Sequence, residues 1–154
     1  MKQLNNKKGF TLIEVVLVLA IGGLIFLLAF IAFQQASKGR RDTQRRSDAA
    51  TLVGQIQNYK GDKNKIPTAA TSGTDSFGEF LTTYMEGSNF KDPTGTSYTI
   101  WTTGNLVTPQ IKYTPGTSTN NTNSCAGKNL SSSEYKIEIA LESGTVCRDS
   151  IGSN

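Results

Sequence analysis

The feature that most constrains this chain is a long apolar run near its N-terminus. The 24 residues from 10 to 33 carry a single charge, that of Glu14. At about 1.5 Å rise per residue, a helix of this length measures about 36 Å, which spans a hydrocarbon core of about 30 Å with some tilt. The run therefore predicts a membrane-spanning helix over residues 10–33.

Two ordinary interpretations of this run leave Glu14 unexplained. A secretory signal peptide would be shorter and would end in an Ala-x-Ala cleavage site, which is missing here. A plain membrane anchor fits the length, but a carboxylate one turn into an apolar helix costs about 3 kcal/mol in a bilayer. Residues 10–33 contain no Lys or Arg that could pair with it. Glu14 therefore needs a cation from elsewhere.

Proteolysis could supply that cation. A cut between Gly9 and Phe10 would create a free amine on Phe10, about one helical turn from Glu14. In a bundle of parallel helices offset along their axes, the amine of one chain would reach Glu14 of another. Charge considerations alone thus give the hypothesis that the chains assemble into a bundle only after cleavage.

The sequence Lys-Gly-Phe-Thr-Leu-Ile-Glu at residues 8–14, followed by the apolar run, resembles the class III signal peptide of type IV prepilins. This signal is shared by type IV pilins and by the pseudopilins of type II secretion and competence systems, and the resemblance extends to about Phe33. It implies that a membrane prepilin peptidase removes a leader ending at Gly9 and methylates the new amine of Phe10. It also implies that Glu14 neutralises a neighbour's terminus in a helical filament.

The composition argues against an enzyme. The chain has no histidine, which removes Ser/His and Cys/His nucleophile pairs and every His-containing metal site. Its two cysteines are too few for a zinc site, and no phosphate-cradling glycine pattern opens a helix. We therefore predict a protein that is not an enzyme, with no catalytic residues, no metal site and no cofactor.

The net charge of +4 is mostly a property of the leader. Lys2, Lys7 and Lys8 lie in the leader with no acidic residue, so the processed chain would carry a net charge of +1. General binding to nucleic acid is therefore poorly supported, although a local basic patch stays open as an interpretation.

Residues 38–48 form a charged stretch without a large apolar side chain. On a helix, Asp42 would face Arg46 and Arg45 would face Asp48, which predicts two stabilising ion pairs on a solvated helix surface. The alternative is a contact surface for other subunits, anionic lipid headgroups, nucleic acid or polysaccharide.

The following residues return to an amphipathic pattern. Apolar side chains recur at helical spacing and predict the face on which a small domain packs; they are Ala49, Leu52, Val53, Ile56 and Tyr59. Gly61 and Pro67 predict that the helix ends near residue 61.

Residues 61–154 predict a small head domain. Ser76 and Glu79 have the spacing of a capping box that starts a short helix lined by Phe77, Phe80, Leu81, Tyr84 and Met85. The Asp-Pro-x-Gly turn at residues 92–95 resembles the heads of pseudopilins and related minimal pilins. Strands are predicted at residues 98–101, 110–113, 135–141 and 145–148.

Alternation in residues 135–141 predicts that the last two strands form a hairpin with one buried face. A tight turn at Ser143-Gly144 would place Val146 opposite Leu141 on that face. Cys147 would then lie on the other face, beside Ala140.

The two cysteines, Cys125 and Cys147, predict a disulfide that staples the polar loop at residues 115–133 to the last strand. The alternative is two unrelated thiols. The position also resembles the disulfide-bounded C-terminal region of many type IV pilins, which often takes part in adhesion or subunit contacts.

Together these features predict an α+β protein with the pilin fold, in which a long N-terminal helix, half transmembrane and half amphipathic, packs on a small antiparallel sheet. The predicted parts are a leader at 1–9, a transmembrane and filament-core helix at 10–33, its amphipathic continuation at 34–60 and a globular head at 61–154. The expected function is that of a type IV pilus subunit in motility, adhesion or DNA uptake. The alternatives are a pseudopilin and a membrane-tethered binding module that never polymerises.

The same resemblance implies the partners and the location of the chain. The precursor would sit in the cytoplasmic membrane, meet the prepilin peptidase and the pilus assembly machinery, and polymerise with further copies of itself into an extracellular pilus. Surface or DNA ligands would be further partners of the fibre.

Overall fold

The computed structural model describes residues 9–85, 90–117 and 124–152. The predicted leader, apart from Gly9, therefore lies outside the described residues, as does part of the polar loop. The chain divides into two compact units, Met1–Ser37 and Lys38–Asn154, which we describe separately.

Helix α1 spans Leu12–Lys63 and contributes to both units. It runs past Gly61, so the predicted end near residue 61 is two residues too early. A helical glycine costs only about 1 kcal/mol, whereas Asn64 supplies a better stop. Asn64 adopts a left-handed conformation with φ of 54°, and its N–H donates to the carbonyl of Lys60 at 2.9 Å. This is the C-terminal cap that Asn and Gly commonly provide.

In the first unit, α1 presents an exposed apolar surface. The large apolar side chains from Leu12 to Phe33 are all exposed, and Leu12 itself is 82% exposed. By length and composition the helix is able to cross a membrane. An apolar surface of this extent requires lipid or protein to cover it.

In the second unit, α1 and the sheet enclose one core. The predicted stripe is confirmed, because Ala49, Leu52, Ile56 and Tyr59 are buried and Val53 is partly buried. Helix α2, Phe77–Met85, adds buried side chains that include Phe77 and Phe80. From the sheet, the core takes Ile111, Tyr113, Tyr135, Ile137, Ile139, Leu141 and Val146.

The sheet has four strands in chain order: β1 (Thr99–Ile100), β2 (Gln110–Pro115), β3 (Tyr135–Leu141) and β4 (Gly144–Asp149). The β2–β3 and β3–β4 pairs are antiparallel, but β1 pairs with β2 in parallel. The α+β fold with a long N-terminal helix is confirmed, and the sheet is mixed where a purely antiparallel one was expected. The loop at residues 101–109 returns the chain to the start of the sheet, so that β2 runs in the same direction as β1. The two strands pair over only two residues of each.

The β3–β4 hairpin turns one residue earlier than predicted. Leu141 pairs with Gly144, so the turn is Glu142-Ser143, and Val146 lies opposite Ile139, not Leu141. This shifts the register by two residues, which keeps every side chain on its predicted face. Val146 is accordingly buried.

The turn is fixed from outside the hairpin. The Asp42 carboxylate accepts the N–H groups of Glu142 and Ser143 at 2.8 and 3.0 Å. It also accepts the Ser143 hydroxyl. This contact from α1 explains why Glu142 and Ser143, and not Ser143 and Gly144, occupy the turn. Cys147 consequently lies opposite Glu138, not beside Ala140.

Cys125 and Cys147 form a disulfide in the structure, with their Cα atoms 5.8 Å apart. The Cys125 N–H also donates to the Asp149 carboxylate at 2.9 Å. The stretch of the polar loop that contains Cys125, residues 124–133, is thereby attached to β4 at two points.

Candidate functional site

Glu14 forms a reciprocal capping box with Thr11 at the start of α1. The Glu14 carboxylate accepts the Thr11 backbone N–H at 2.9 Å and the Thr11 hydroxyl at 2.8 Å. In return, the Thr11 hydroxyl oxygen accepts the Glu14 N–H at 3.4 Å. Thr11 is therefore the N-cap, and the helix begins at Leu12.

The capping box orients the Glu14 carboxylate without neutralising it. Both groups that bond to the carboxylate are neutral, and residues 9–37 contain no Lys or Arg. The N-terminal end of the helix dipole favours a negative charge at this position, by about 0.3–1 kcal/mol. The carboxylate is thus fixed in place at the first turn, and no Lys or Arg within residues 9–37 supplies its countercharge.

Gly9 and Phe10 precede the helix in an irregular, exposed segment. Phe10 is 90% exposed, and the peptide bond that joins it to Gly9 is not part of the hydrogen-bonded helix. The backbone of Phe10 adjoins Thr11, whose N–H already bonds to Glu14. The structure therefore places the predicted cleavage point directly before the capping box.

The role of Thr11 as the N-cap was not among the predictions from the sequence. The signal was present in the sequence, because Thr11-Leu12-Ile13-Glu14 has the Thr-x-x-Glu spacing of a capping box. The same spacing correctly predicted the start of α2, where the Ser76 hydroxyl accepts the Glu79 N–H at 3.0 Å.

A second polar cluster surrounds Arg45 in the second unit. Arg45 Nε and Nη2 donate to the two oxygens of Asp92 at 2.7 and 3.1 Å, and Nη1 donates to Asp42 at 3.0 Å. The side chains of Arg45 and Asp92 are each only 1% exposed. This geometry is the bidentate pairing for which a guanidinium is suited.

This cluster corrects the prediction of a solvated helix surface at residues 38–48. Asp42, Arg45 and Asp48 are buried. The predicted pairs of Asp42 with Arg46 and of Arg45 with Asp48 are both wrong. Asp48 instead accepts hydrogen bonds from Tyr98 at 2.7 Å and Gln44 at 2.9 Å. Asp92, Tyr98 and the Glu142-Ser143 turn of the head bind these side chains, together with helix neighbours other than the predicted ones.

The charged forms of the buried carboxylates are stabilised by these contacts. Burial acts to raise the pKa of Asp92, but the bonds from Arg45 and Thr94 outweigh it and hold that pKa below its ordinary value. The same balance lowers the pKa of Asp42, whose charge is stabilised by Ser143, by the Glu142 N–H and by Arg45. The hydrogen bonds from Arg45 to Asp92 raise the pKa of the guanidinium.

The Arg45 cluster has a structural role. It joins α1 to the turn that begins at Asp92 and, through Asp42, to the β3–β4 hairpin. Within the described ranges, no group of three or more His, Cys, Asp or Glu residues is arranged to hold a metal ion. The arrangement can position the head on the helix.

Comparison with known protein families supports the interpretation of the N-terminus. The family model described as the prokaryotic N-terminal methylation motif matches residues 4–30, which include the Gly9–Phe10 bond, Thr11 and Glu14. The searches of curated proteins and of solved structures found no match. The motif indicates a structural protein. The N-terminal segment is therefore the class III signal peptide of type IV pilins, which supports a precursor of the type IV pilin or pseudopilin type.

Proposed function

We propose that this chain is the structural subunit of a type IV pilus, cleaved after Gly9, methylated at Phe10 and polymerised through the N-terminal part of α1. The observation that carries the proposal is the capping box, in which Glu14 is held as an oriented carboxylate on an exposed apolar helix. A carboxylate prepared in this way, with no Lys or Arg between Phe10 and Ser37, suits pairing with a second subunit.

Cleavage supplies the matching charge. In the precursor, the nitrogen of Phe10 belongs to a neutral amide, whereas after cleavage it is an amine that is cationic at neutral pH. Methylation keeps that charge. An ion pair between this amine and a neighbour's Glu14 would form in apolar surroundings, where an unpaired charge is costly. Only processed subunits would therefore add to the fibre.

The exposed apolar surface of α1 would be covered by lipid before assembly and by other subunits after it. Before assembly, lipid would cover the side chains from Leu12 to Phe33 in the cytoplasmic membrane. In the fibre, the helices of other copies would cover them, and the fibre would extend from the cell surface. The prepilin peptidase and the pilus assembly machinery are the partners that these steps require.

Two other functions use the same N-terminus. The Asp-Pro-x-Gly turn at residues 92–95 favours a pseudopilin, whose short fibre pushes exported proteins or helps DNA uptake. The Cys125–Cys147 disulfide, which closes part of the polar loop, favours a true pilin. A membrane-tethered binding module would keep the anchor but would not polymerise.

Shearing cells that express the chain separates these functions. For a pilus subunit, we expect long fibres in the sheared fraction that an antibody against the head labels along their length. For a pseudopilin, the protein stays in the cell envelope, and its deletion impairs secretion or DNA uptake. For a tethered module, the protein stays in the membrane and no fibre contains it. Either of the last two results would contradict the pilus proposal.

A further inference from the structure

Folding of the head separates the charges of residues 38–48. This stretch of α1 has five basic and two acidic residues, which gives it a net charge of +3. Both acidic residues, Asp42 and Asp48, are buried and bond to groups of the head. The charged residues that stay exposed are Lys38, Arg40 and Arg46. The exposed charge of the stretch is therefore entirely positive.

These three exposed cations have no ion-pair partner in the part of the chain that the structure describes. The other two basic residues of the stretch do have partners. Arg41 donates to the Glu142 carboxylate at 2.9 Å, and Arg45 pairs with Asp92. The head thus binds the carboxylates of this segment and leaves three of its positive charges without a countercharge.

Two of these cations directly follow the apolar run. Lys38 and Arg40 come five and seven residues after Phe33, the last residue of the predicted membrane span, whereas Arg46 comes 13 residues after it. The chain is helical through this stretch. At about 1.5 Å per residue, Lys38 and Arg40 follow Phe33 by about 8–11 Å of helix, and Arg46 by about 20 Å. The headgroup layer beyond the hydrocarbon is roughly 5–8 Å thick, so Lys38 and Arg40 are the two that can reach it.

We propose that Lys38 and Arg40 bind the phosphate groups of anionic lipids while the chain is anchored in the membrane. The inference rests on the membrane-anchored precursor of the proposed function. The long side chains of Lys and Arg place their charged ends in the headgroup layer when they lie near the end of a membrane helix. Because that layer presents many phosphate groups, the two cations need not converge on one ligand.

The position of the two residues favours lipid over nucleic acid. Binding to nucleic acid needs many phosphate contacts, and the processed chain would carry a net charge of only +1. A membrane helix instead keeps the two cations next to the lipid phosphates, so a small number of charges is sufficient for a preference between lipids. The contact would hold the beginning of the head at the membrane surface until the subunit leaves the bilayer.

The test uses native mass spectrometry to count the lipids bound to the full chain. Neutral detergent micelles contain equal amounts of phosphatidylglycerol and phosphatidylcholine with the same acyl chains, in about 0.1 M salt. The test variant combines Lys38→Gln with Arg40→Gln. The matched control combines Arg46→Gln with Lys128→Gln, which removes the same charge from two exposed residues farther along the chain. A further variant, Lys38→Arg with Arg40→Lys, keeps both charges.

We expect the wild-type chain to bind about threefold more phosphatidylglycerol than phosphatidylcholine. This ratio should fall about twofold or more in the test variant and stay unchanged in the matched control and in the variant that keeps both charges. An equal fall in the test variant and the matched control would show a general charge effect and overturn the proposal. An unchanged ratio in the test variant would also overturn it.

A second measurement separates this proposal from the proposed function. The chain is reconstituted into vesicles and extracted with alkaline carbonate. If the chain resists extraction but the test variant keeps the wild-type lipid ratio, only the lipid contact is wrong. If carbonate removes the chain, it is not anchored, and both the lipid contact and the membrane stage of the proposed function are wrong. Weaker binding of a short DNA duplex by the test variant, with no change in lipid ratio, would assign the cations to nucleic acid and overturn the lipid proposal.

Discussion

Arg45 on α1 donates hydrogen bonds to both carboxylate oxygens of Asp92, which lies 47 residues later at the start of the Asp-Pro-x-Gly turn. Each side chain is 1% exposed, so water does not compensate either charge. Removing one member of such a pair leaves the other charge buried without its partner, which is strongly destabilising. The pair therefore joins α1 firmly to the head in the second unit.

We predict that Asp92→Asn lowers the free energy of unfolding of the head by about 3 kcal/mol, because the buried Arg45 guanidinium loses its main countercharge. Chemical unfolding of the full chain in micelles measures this change. Asp62→Asn is the control, since Asp62 is exposed and its carboxylate accepts a hydrogen bond from the Tyr84 hydroxyl at the surface of the second unit. We expect a change of about 0.5 kcal/mol or less for the control. Similar effects of the two substitutions would contradict the structural role of the pair.

The same cluster predicts a pH dependence of stability. The pKa values of Asp42 and Asp92 are lower in the folded state than their ordinary value, so the folded state binds fewer protons than the unfolded state at acidic pH. Their contribution is complete above about pH 4 and is lost as the pH falls through the lowered pKa values. Unfolding curves between pH 7 and pH 2 should show a decline below about pH 4 that is shallower in Asp92→Asn. An equal decline in wild type and variant would contradict this account.

Thr11 provides a prediction about the capping box. Thr11→Val keeps the shape of the side chain but removes the hydroxyl that donates to Glu14. Loss of an N-cap costs about 1 kcal/mol, so we expect severalfold fewer fibres from an equal amount of processed protein. Thr11→Ser keeps the hydroxyl and should give nearly the wild-type yield. If Thr11→Val and Thr11→Ser lower the fibre yield equally, the Thr11 hydroxyl does not position Glu14.

Glu14 itself can be tested with two substitutions. Glu14→Gln can still accept the hydrogen bonds from Thr11 but has no charge. Glu14→Ala loses both the hydrogen bonds and the charge. We expect that the peptidase still cleaves both variants and that neither forms normal fibres, because the amine of the neighbouring Phe10 has no countercharge. Immunoblots measure cleavage, and shearing measures fibre yield. A wild-type yield from Glu14→Gln would rule out charge pairing as the step that controls assembly.

Much of the fold follows from local patterns. The alternation in Tyr135–Leu141 predicted β3 with the bounds that the structure has, and the helical stripe from Ala49 to Tyr59 predicted the buried face of α1. These patterns can be recognised in the sequence because the burial of each residue depends mainly on the periodicity of the helix or strand that contains it.

Residues whose contacts are distant in the sequence were not predictable in this way. The charges from Asp42 to Asp48 formed plausible pairs along the helix, and only the folded head shows that Asp92 and the Glu142-Ser143 turn bind them instead. The register of the β3–β4 hairpin depended on the same long-range contact. At the N-terminus, the importance of Glu14 followed from its cost in a bilayer, whereas the part played by Thr11 required the capping geometry.

The most direct test of the account is the intact mass and the first residue of the protein sheared from cell surfaces. We predict a chain that starts at Phe10, one methyl group heavier and, because of the Cys125–Cys147 disulfide, two hydrogens lighter than the unmodified reduced chain. That result would establish processing, export and oxidation together. A chain that starts at Met1 and is found only in membranes would contradict the account and leave the apolar helix as a plain anchor.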